Sequence, residues 1–128
     1  MKLRLLLSCG IFASALYAAD PAPIGKVKVD GKEYPVFAYP RDVKPISVEN
    51  PLYPYRAKED GREGDTLIGA LVGVKGRVLA TFVVKSNASE DLRQSCCAAV
   101  ERWTFPKLKD GSKPIAYVIF VPISMRLK

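Results

Sequence analysis

The clearest hydrophobic pattern in the chain lies near its C-terminal end. Every odd-numbered position from Ile115 to Leu127 is apolar. A period of two places these side chains on one face of a β-strand, and a pleated surface suits the Ile, Val, Tyr and Phe residues of this run. Pro122 lies inside the run and has no N–H to give to a neighbouring strand. The pattern therefore predicts a long strand at the edge of a sheet, with backbone groups open to a further strand.

Two more alternating segments, residues 65–74 and 77–85, flank a turn at Lys75-Gly76. They predict two strands that pair as a hairpin. The first strand presents Thr66, Ile68, Ala70 and Val72 on one face, and the second presents Val78, Ala80, Phe82 and Val84 on one side.

A helix is predicted after Ser86–Ser89, because these residues suit a helix N-terminus and two acidic residues follow them in the first turn. Its apolar residues recur at spacings of three and four, which gives the helix one apolar face. They are Leu92, Cys96, Ala99, Val100 and Trp103. Residues 106–114 then predict a loop. The order strand, strand, helix, strand indicates an α+β fold, in which a small antiparallel sheet packs on a helix and the last strand joins beside the first.

A separate N-terminal hairpin is predicted where Lys26–Val29 and Tyr34–Phe37 flank Asp30-Gly31. The main sheet is apolar on its second face as well, through Leu67, Leu71, Leu79, Val83, Val118 and Phe120. An apolar face of this size needs a cover. We expect that cover to be the N-terminal hairpin or else a second copy of the chain. The hairpin would contribute Val27, Val29, Val36 and Phe37.

The first residues are typical of a secretory signal peptide. Lys2 and Arg4 are followed by an apolar or small run from Leu5 to Ala19, which is short for a membrane-spanning helix. We predict a signal peptide over 1–18, a hairpin and proline-bearing connector over 19–45, and the main domain over 46–128. The predicted location is the periplasm; the alternative is a retained inner-membrane anchor.

Composition narrows the function. The net charge is +7, and without Lys2 and Arg4 it is 18 − 13 = +5, spread along the chain without a nucleic-acid-binding motif. The chain has no His, no phosphate-binding glycine loop and no activated nucleophile. Cys96 and Cys97 are adjacent, and we expect thiols that serve packing. We therefore predict no catalysis, no cofactor, no metal, no small-molecule substrate and no nucleic acid.

A series of short motifs runs in order over about two-thirds of the predicted mature chain. They are Pro51-x-Tyr53-Pro54-x-x-Ala57, Gly61-x-Glu63-Gly64, Gly76-Arg77-Val78, Ser86, Ala99-Val100-x-x-Trp103-x-Phe105, Gly111-x-x-Pro114 and Val121-Pro122-Ile123. Together they make the stretch from about Ile46 to Leu127 resemble the C-terminal domain of TonB energy-transducer proteins. Transducers of that family also carry a membrane-spanning N-terminus and a long proline-rich arm. This sequence, with a signal peptide and a short connector, looks like the domain exported alone.

The resemblance implies a three-stranded sheet with helices on one face. It also implies a groove beside the last strand for a short extended segment, the TonB box of an outer-membrane receptor. Carried over to this sequence, Asn50, Pro51 and Tyr53 would flank the groove. The strand residues Val118, Ile119, Phe120, Val121 and Ile123 would contact the peptide.

We therefore predict a periplasmic module that binds an extended peptide of a receptor or another envelope protein by β-augmentation, in TonB-dependent transmembrane transport. Tyr53 and Trp103 are expected to serve the core first. The alternative is a self-associating structural envelope protein, a homodimer whose edge strand pairs with a second copy and which transduces no energy.

Overall fold

A computed structural model describes residues 21–128. The predicted signal peptide, residues 1–18, lies outside the described residues. The strands and helices follow in chain order. They are β1 (Gly25–Val29), β2 (Lys32–Phe37), α1 (Tyr55–Glu59), β3 (Gly64–Val72), β4 (Val78–Ser86), α2 (Glu90–Val100), β5 (Leu108–Asp110), β6 (Lys113–Ile115) and β7 (Tyr117–Met125). Neither helix of this part of the chain is long and apolar enough to cross a membrane.

The main sheet has five strands in the order β1-β2-β7-β3-β4. β3 pairs antiparallel with β4, and it pairs antiparallel with β7 from Gly64↔Met125 to Val72↔Tyr117. α2 packs on β3 and β4. The predicted α+β fold, the N-terminal hairpin and the position of the last strand beside the first strand of the main unit are thereby confirmed.

The prediction that Ile115–Leu127 forms an edge strand along its whole length is wrong. β2 lies on the other side of β7 and pairs with it in parallel, Val36 with Val118 and Phe37 with Ile119. Ile115 belongs to β6, not β7. The N-terminal hairpin packs on the second face of the sheet, and this brings β2 beside β7. β2 can therefore extend the sheet there.

The main core lies between the sheet and the helices. The odd positions of β7 face it: Tyr117, Ile119, Val121 and Met125 are buried, as the alternation predicted. Leu92, Cys96 and Val100 of α2 pack from above, with Trp103 and Phe105 just beyond the helix. Apolar burial of this kind stabilises the fold by about 25 cal/mol for each Å² removed from water.

A second apolar cluster fills the opposite face of the sheet. Val36, Leu71 and Val118 are buried there, and Val27 and Val29 of β1 pack against them. This confirms three of the four predicted cover residues, whereas Leu79 and Val83, which were predicted to lie on the covered face, are exposed. Phe37 is the exception, since it lies in the main core with its ring 5.6 Å from that of Tyr117. Neighbours in a strand point to opposite faces, so Val36 and Phe37 could not share one.

β4 departs from simple alternation at two bulges. Val72 pairs with Val78 and Leu71 with Ala80, so Leu79 has no partner in the ladder; a second irregularity skips Val84. Each bulge adds a residue and reverses the faces. The prediction that Val78, Ala80, Phe82 and Val84 lie on one side is therefore wrong. Val78 packs in the main core, while Ala80 and Phe82 pack in the second cluster.

The segment predicted as a loop, residues 106–114, contains most of a small antiparallel hairpin, β5–β6. Gly111 turns it with a φ of 67°. The Tyr117 hydroxyl, which follows this hairpin, donates to the carbonyl of Pro106. Burial raises the pKa of Tyr117, so the hydroxyl stays a donor at any pH at which the protein would be handled.

Candidate functional site

The second half of β7 carries the open edge. On the side of β7 that faces away from β3, β2 pairs with Val118 and Ile119. Within residues 21–128, no strand pairs on that side with the residues that follow, Phe120–Met125. This open segment, Phe120–Met125, is the part of the predicted binding strand that remains available.

Alternation along the strands shows which backbone groups the open segment presents. The carbonyl of Val36 accepts the N–H of Ile24 at 2.7 Å, so the Val36 groups face β1 and those of Phe37 face β7. In the parallel ladder this directs the backbone N–H and C=O groups of Val118 and Phe120 toward β2. Pro122 and Ser124, two and four residues on, then point toward the same side.

Pro122 agrees with this alternation, because the N–H that proline lacks would point to the open side. The ladder with β3 therefore loses no hydrogen bond. The open segment therefore presents the carbonyls of Phe120, Pro122 and Ser124. Its free backbone donor is the N–H of Ser124, since that of Phe120 faces Phe37. A guest strand thus finds three acceptors and one donor there.

A pocket of about 450 Å³ lies at this end of the sheet. Its lining combines apolar and polar side chains: Asp65, Thr66, Leu67, Lys85, Ser86, Asn87, Pro122, Ile123 and Ser124. Asp65 accepts a hydrogen bond from Ser124 and forms an ion pair with Arg126 at 2.7 Å, which together hold the pKa of Asp65 below its usual value. The pocket can therefore receive an apolar side chain while its rim stays charged.

The predicted flanking residues lie in the helix layer. Asn50 is exposed and lines a pocket of about 210 Å³ with Ser95 of α2 and with Arg102, just beyond that helix. Tyr53 is half-buried against the main core, and its hydroxyl donates to the carbonyl of Arg62. The expected core roles of Tyr53 and Trp103 are confirmed. The contact of Asn50 and Pro51 with a peptide stays a prediction.

Specific hydrogen bonds hold the segment 47–52, just before α1, against α2 and the residues that follow α2. The indole N–H of Trp103 donates to the carbonyl of Glu49 at 2.8 Å, and the Ser95 hydroxyl donates to the carbonyl of Leu52. Thr104 forms bridges to both Ser47 and Arg77. The segment 47–52 is therefore held in place within the helix layer.

A charged cluster joins the turn before β3 to the start of α2. The guanidinium of Arg62 donates to both carboxylate oxygens of Asp91, at 2.7 and 3.0 Å. Asp91 also accepts from the Ser89 hydroxyl at 2.6 Å and from the N–H of Leu92 at 2.9 Å. These donors, Arg62 first, hold the pKa of Asp91 well below its usual range.

Asp91→Asn is expected to destabilise the protein at neutral pH and to make its stability less dependent on acid. A carboxylate whose pKa is lowered by folding stabilises the protein above its unfolded pKa, about 4, and this stabilisation is lost as the pH falls below that value. Urea unfolding between pH 7 and pH 2.5 measures both effects. Equal pH dependence of Asp91→Asn and the unmodified protein would contradict this assignment; Glu90→Gln, in the same helix turn, is the control.

The described residues offer little for metal or thiol chemistry. No group of three His, Cys, Asp or Glu side chains within residues 21–128 could hold a metal ion. Cys96 and Cys97 are free thiols. Burial raises the pKa of Cys96 to about 11, and it also raises the pKa of Cys97. Both thiols therefore stay protonated at neutral pH, which suits a packing role.

Several residues of this edge escaped the sequence prediction. Ser124 was not singled out, although its distance of two from Pro122 placed it in the same backbone phase. Leu67 and Lys85 line the pocket with it, but only the pairing of β3 with both β4 and β7 brings them together. The proline was the one local signal that could have led to Ser124.

Comparison with known proteins agrees with this architecture. The family described as Gram-negative bacterial TonB protein C-terminal matches residues 49–127. Protein TonB of Vibrio cholerae serotype O1 is 32% identical over 79 residues, which are 61% of this chain and 32% of that protein. Protein tonB2 of Pseudomonas aeruginosa is 36% identical over 77 residues, which are 60% of this chain and 28% of that protein. The chain thus spans about a third or less of the length of these curated relatives.

The solution structure of the TonB C-terminal domain of Pseudomonas aeruginosa superposes with a TM-score of 0.57 at 22% identity. The match covers 71% of this chain and 93% of that one, and it shows a shared fold. The family match covers well over half of the chain and includes β3, β4, α2 and β7. The chain therefore belongs to the TonB C-terminal domain family.

Proposed function

We propose that this protein is a periplasmic binding module that holds an extended segment of an outer-membrane receptor, or of another envelope protein, against β7. The proposed role is part of TonB-dependent transport and involves no catalysis. Export would follow from the predicted signal peptide over 1–18. The observation that carries the proposal is the unpaired edge of the open segment, Phe120–Met125, in a domain of this family.

The binding mode is strand addition. A guest strand would donate to the carbonyls of Phe120, Pro122 and Ser124 and accept from the N–H of Ser124. Backbone hydrogen bonds of this kind supply attachment, and alternate side chains supply selectivity. One guest side chain would enter the pocket formed by Leu67, Pro122 and Ser124. Val118 and Ile119, by contrast, would contact a guest only after β2 has separated from them.

Ser124→Pro is the sharpest test of this mode. The substitution removes the free backbone donor of the open segment, while the ladder with β3 uses the neighbouring residues. We expect peptide affinity to fall about tenfold or more, since a lost hydrogen bond and the added ring both oppose pairing. Ser124→Ala is the matched control, because it removes the hydroxyl bonded to Asp65 but keeps the N–H.

The measurement uses the full chain labelled with ¹⁵N. Overlapping ten-residue peptides from the N-terminal segment of an outer-membrane receptor of the same bacterium are the probes. Binding should shift the amide signals of the open segment and slow hydrogen exchange at Ser124. The proposal fails if binding peptides shift the β4 or α2 amides instead, or if Ser124→Pro and Ser124→Ala bind equally well.

Self-association is the alternative outcome of the same experiment. A dimer that pairs two open segments would slow exchange at Ser124 without any peptide, and Ser124→Pro would convert it to a monomer. Light scattering on the unmodified protein and on both variants separates the two functions. The exposed edge of β4 favours neither one, because its bulges at Leu79 and Val84 disturb edge-to-edge pairing.

A further inference from the structure

We propose that β2 is a built-in occupant of the β7 edge, which competes with a guest strand for the first half of the binding site. This inference rests on the proposed function of the same edge. β2 holds Val118 and Ile119 through its parallel pairing, so two of the five strand residues predicted to contact a peptide are taken within one molecule. A guest must either remain on the open segment or replace β2.

The attachment of β2 to β7 is narrow. It comprises two residue pairs, whereas β3 is paired with β7 along nine residues. The turn residues Asp30 and Gly31 and most of β1 are exposed. Release of the hairpin would therefore break two residue pairs and expose the buried Val36 and Phe37, while the ladder between β3 and β7 stays intact.

β2 also shows what the edge accepts, because it pairs as a guest strand would. It runs parallel to β7, with Val36 directed to the second apolar cluster and Phe37 to the main core beside Tyr117. Pro35 precedes them and is tolerated. The matching partner is an extended segment that runs parallel to β7, is uncharged where it pairs, and places a β-branched residue before an aromatic one.

The cover that β1 provides keeps the hairpin closed when no guest is present. Val27 and Val29 pack against the second apolar cluster, and the rings of Phe82 and Phe120, which pack against the same cluster, meet edge to face at 6.5 Å. If the hairpin leaves, this apolar surface meets water, so the closed form dominates. A guest then binds with an affinity reduced by the fraction of molecules that are open.

Movement of the hairpin is limited at one end. The carbonyl of Ala38 accepts the N–H groups of Asp42 and Val43 at 3.0 and 3.2 Å. Val43 is buried in the main core. The turn after β2 is therefore fixed, and release proceeds from the Asp30-Gly31 turn toward Phe37.

The first experiment weakens the cover without touching β7. Val27→Ser combined with Val29→Ser removes apolar contacts of β1 with the second cluster. The control pair Lys28→Ser with Glu33→Ser changes exposed register partners on the two hairpin strands and leaves the net charge unchanged. The probe is an acetylated and amidated synthetic peptide of residues 31–38, which reproduces β2. We expect it to bind the weakened variant about tenfold more tightly than the control or the unmodified protein.

The second experiment locks the hairpin, and it decides the matter if the weakened variant does not fold. Val36→Cys with Val118→Cys places two thiols at directly paired positions of neighbouring strands, within the range that a disulfide can bridge. The oxidised protein should not bind the β2 peptide at Val118–Phe120, and reduction of the same sample should restore binding. Peptide mapping confirms that Cys96 and Cys97 remain thiols.

The outcomes separate this inference from the proposed function. Equal binding of the β2 peptide by the locked, reduced and weakened proteins would overturn the competition. If a receptor peptide also protects the Ser124 amide equally in the locked, reduced and weakened proteins, binding at the open segment stands without any competition from β2. If the β2 peptide binds the weakened variant at β7 while no receptor peptide binds any variant, the competition stands and the proposed function falls.

Discussion

Replacement of Trp103 by alanine is expected to lower the free energy of unfolding by about 3–5 kcal/mol, as large-to-small changes of buried aromatic residues do. The indole is 6% exposed and packs beside the ring of Phe105, 6.2 Å away. Its N–H donates to the carbonyl of Glu49, so the substitution also leaves that carbonyl without its partner. Since ordinary domains unfold at a cost of about 5–15 kcal/mol, this loss is a large part of the total.

Urea unfolding followed by circular dichroism measures the effect. Trp103→Phe keeps most of the apolar volume and loses the N–H, so it should cost markedly less than Trp103→Ala. Arg102→Ala is the surface control: its ion pair with Glu49 is largely exposed, and such pairs contribute about 0–1 kcal/mol. A cost for Trp103→Ala no greater than that for Arg102→Ala would show that the indole does not join the segment 47–52 to the core.

Gly76→Ala is expected to cost more than about 3 kcal/mol, from two separate effects. Gly76 has a φ of 87°, a conformation that an L side chain disfavours. A Cβ at this position would also overlap the backbone oxygen of Phe105. That contact cannot simply rotate away, because the N–H of Phe105 donates to the carbonyl of Gly76 at 2.9 Å. The substitution therefore forces the segment before β5 away from the turn between β3 and β4.

Gly31→Ala isolates the conformational part of this cost. Gly31 has nearly the same φ, 83°, but nothing lies within 4 Å of a Cβ built there. It should cost about 1–2 kcal/mol, the value for a left-handed conformation alone. The difference between the two variants in urea unfolding at constant slope measures the overlap with Phe105. If Gly31→Ala and Gly76→Ala cost the same, the close approach of the Phe105 backbone is not important to stability.

Much of the fold could be predicted from local patterns. The burial of Tyr117, Ile119 and Val121 followed from alternation alone, and the apolar stripe of α2 followed from its spacing. One error arose where an inserted residue changes the phase. The bulge at Leu79 separated Val78 from Ala80, and no composition signal marks it.

The candidate site was predicted in part. The family motifs pointed to β7 as the binding strand, and Pro122 pointed to an unpaired side. They did not indicate that β2 would take Val118 and Ile119, or that Leu67 and Lys85 would line a pocket beside Ser124. Each of these contacts joins segments far apart in the chain, and their pairing depends on how the whole sheet is ordered.

The sequence by itself determined the main strands and helix, the sides of β3 and β7 that enter the core, and the family, because these follow from local periodicity and from motifs in order. Only the tertiary structure decided how much of the β7 edge stays free. The physical reason is that an apolar second face had to be removed from water, and the hairpin that covers it also pairs with the first residues of β7. The open segment is what remains after that competition within the chain.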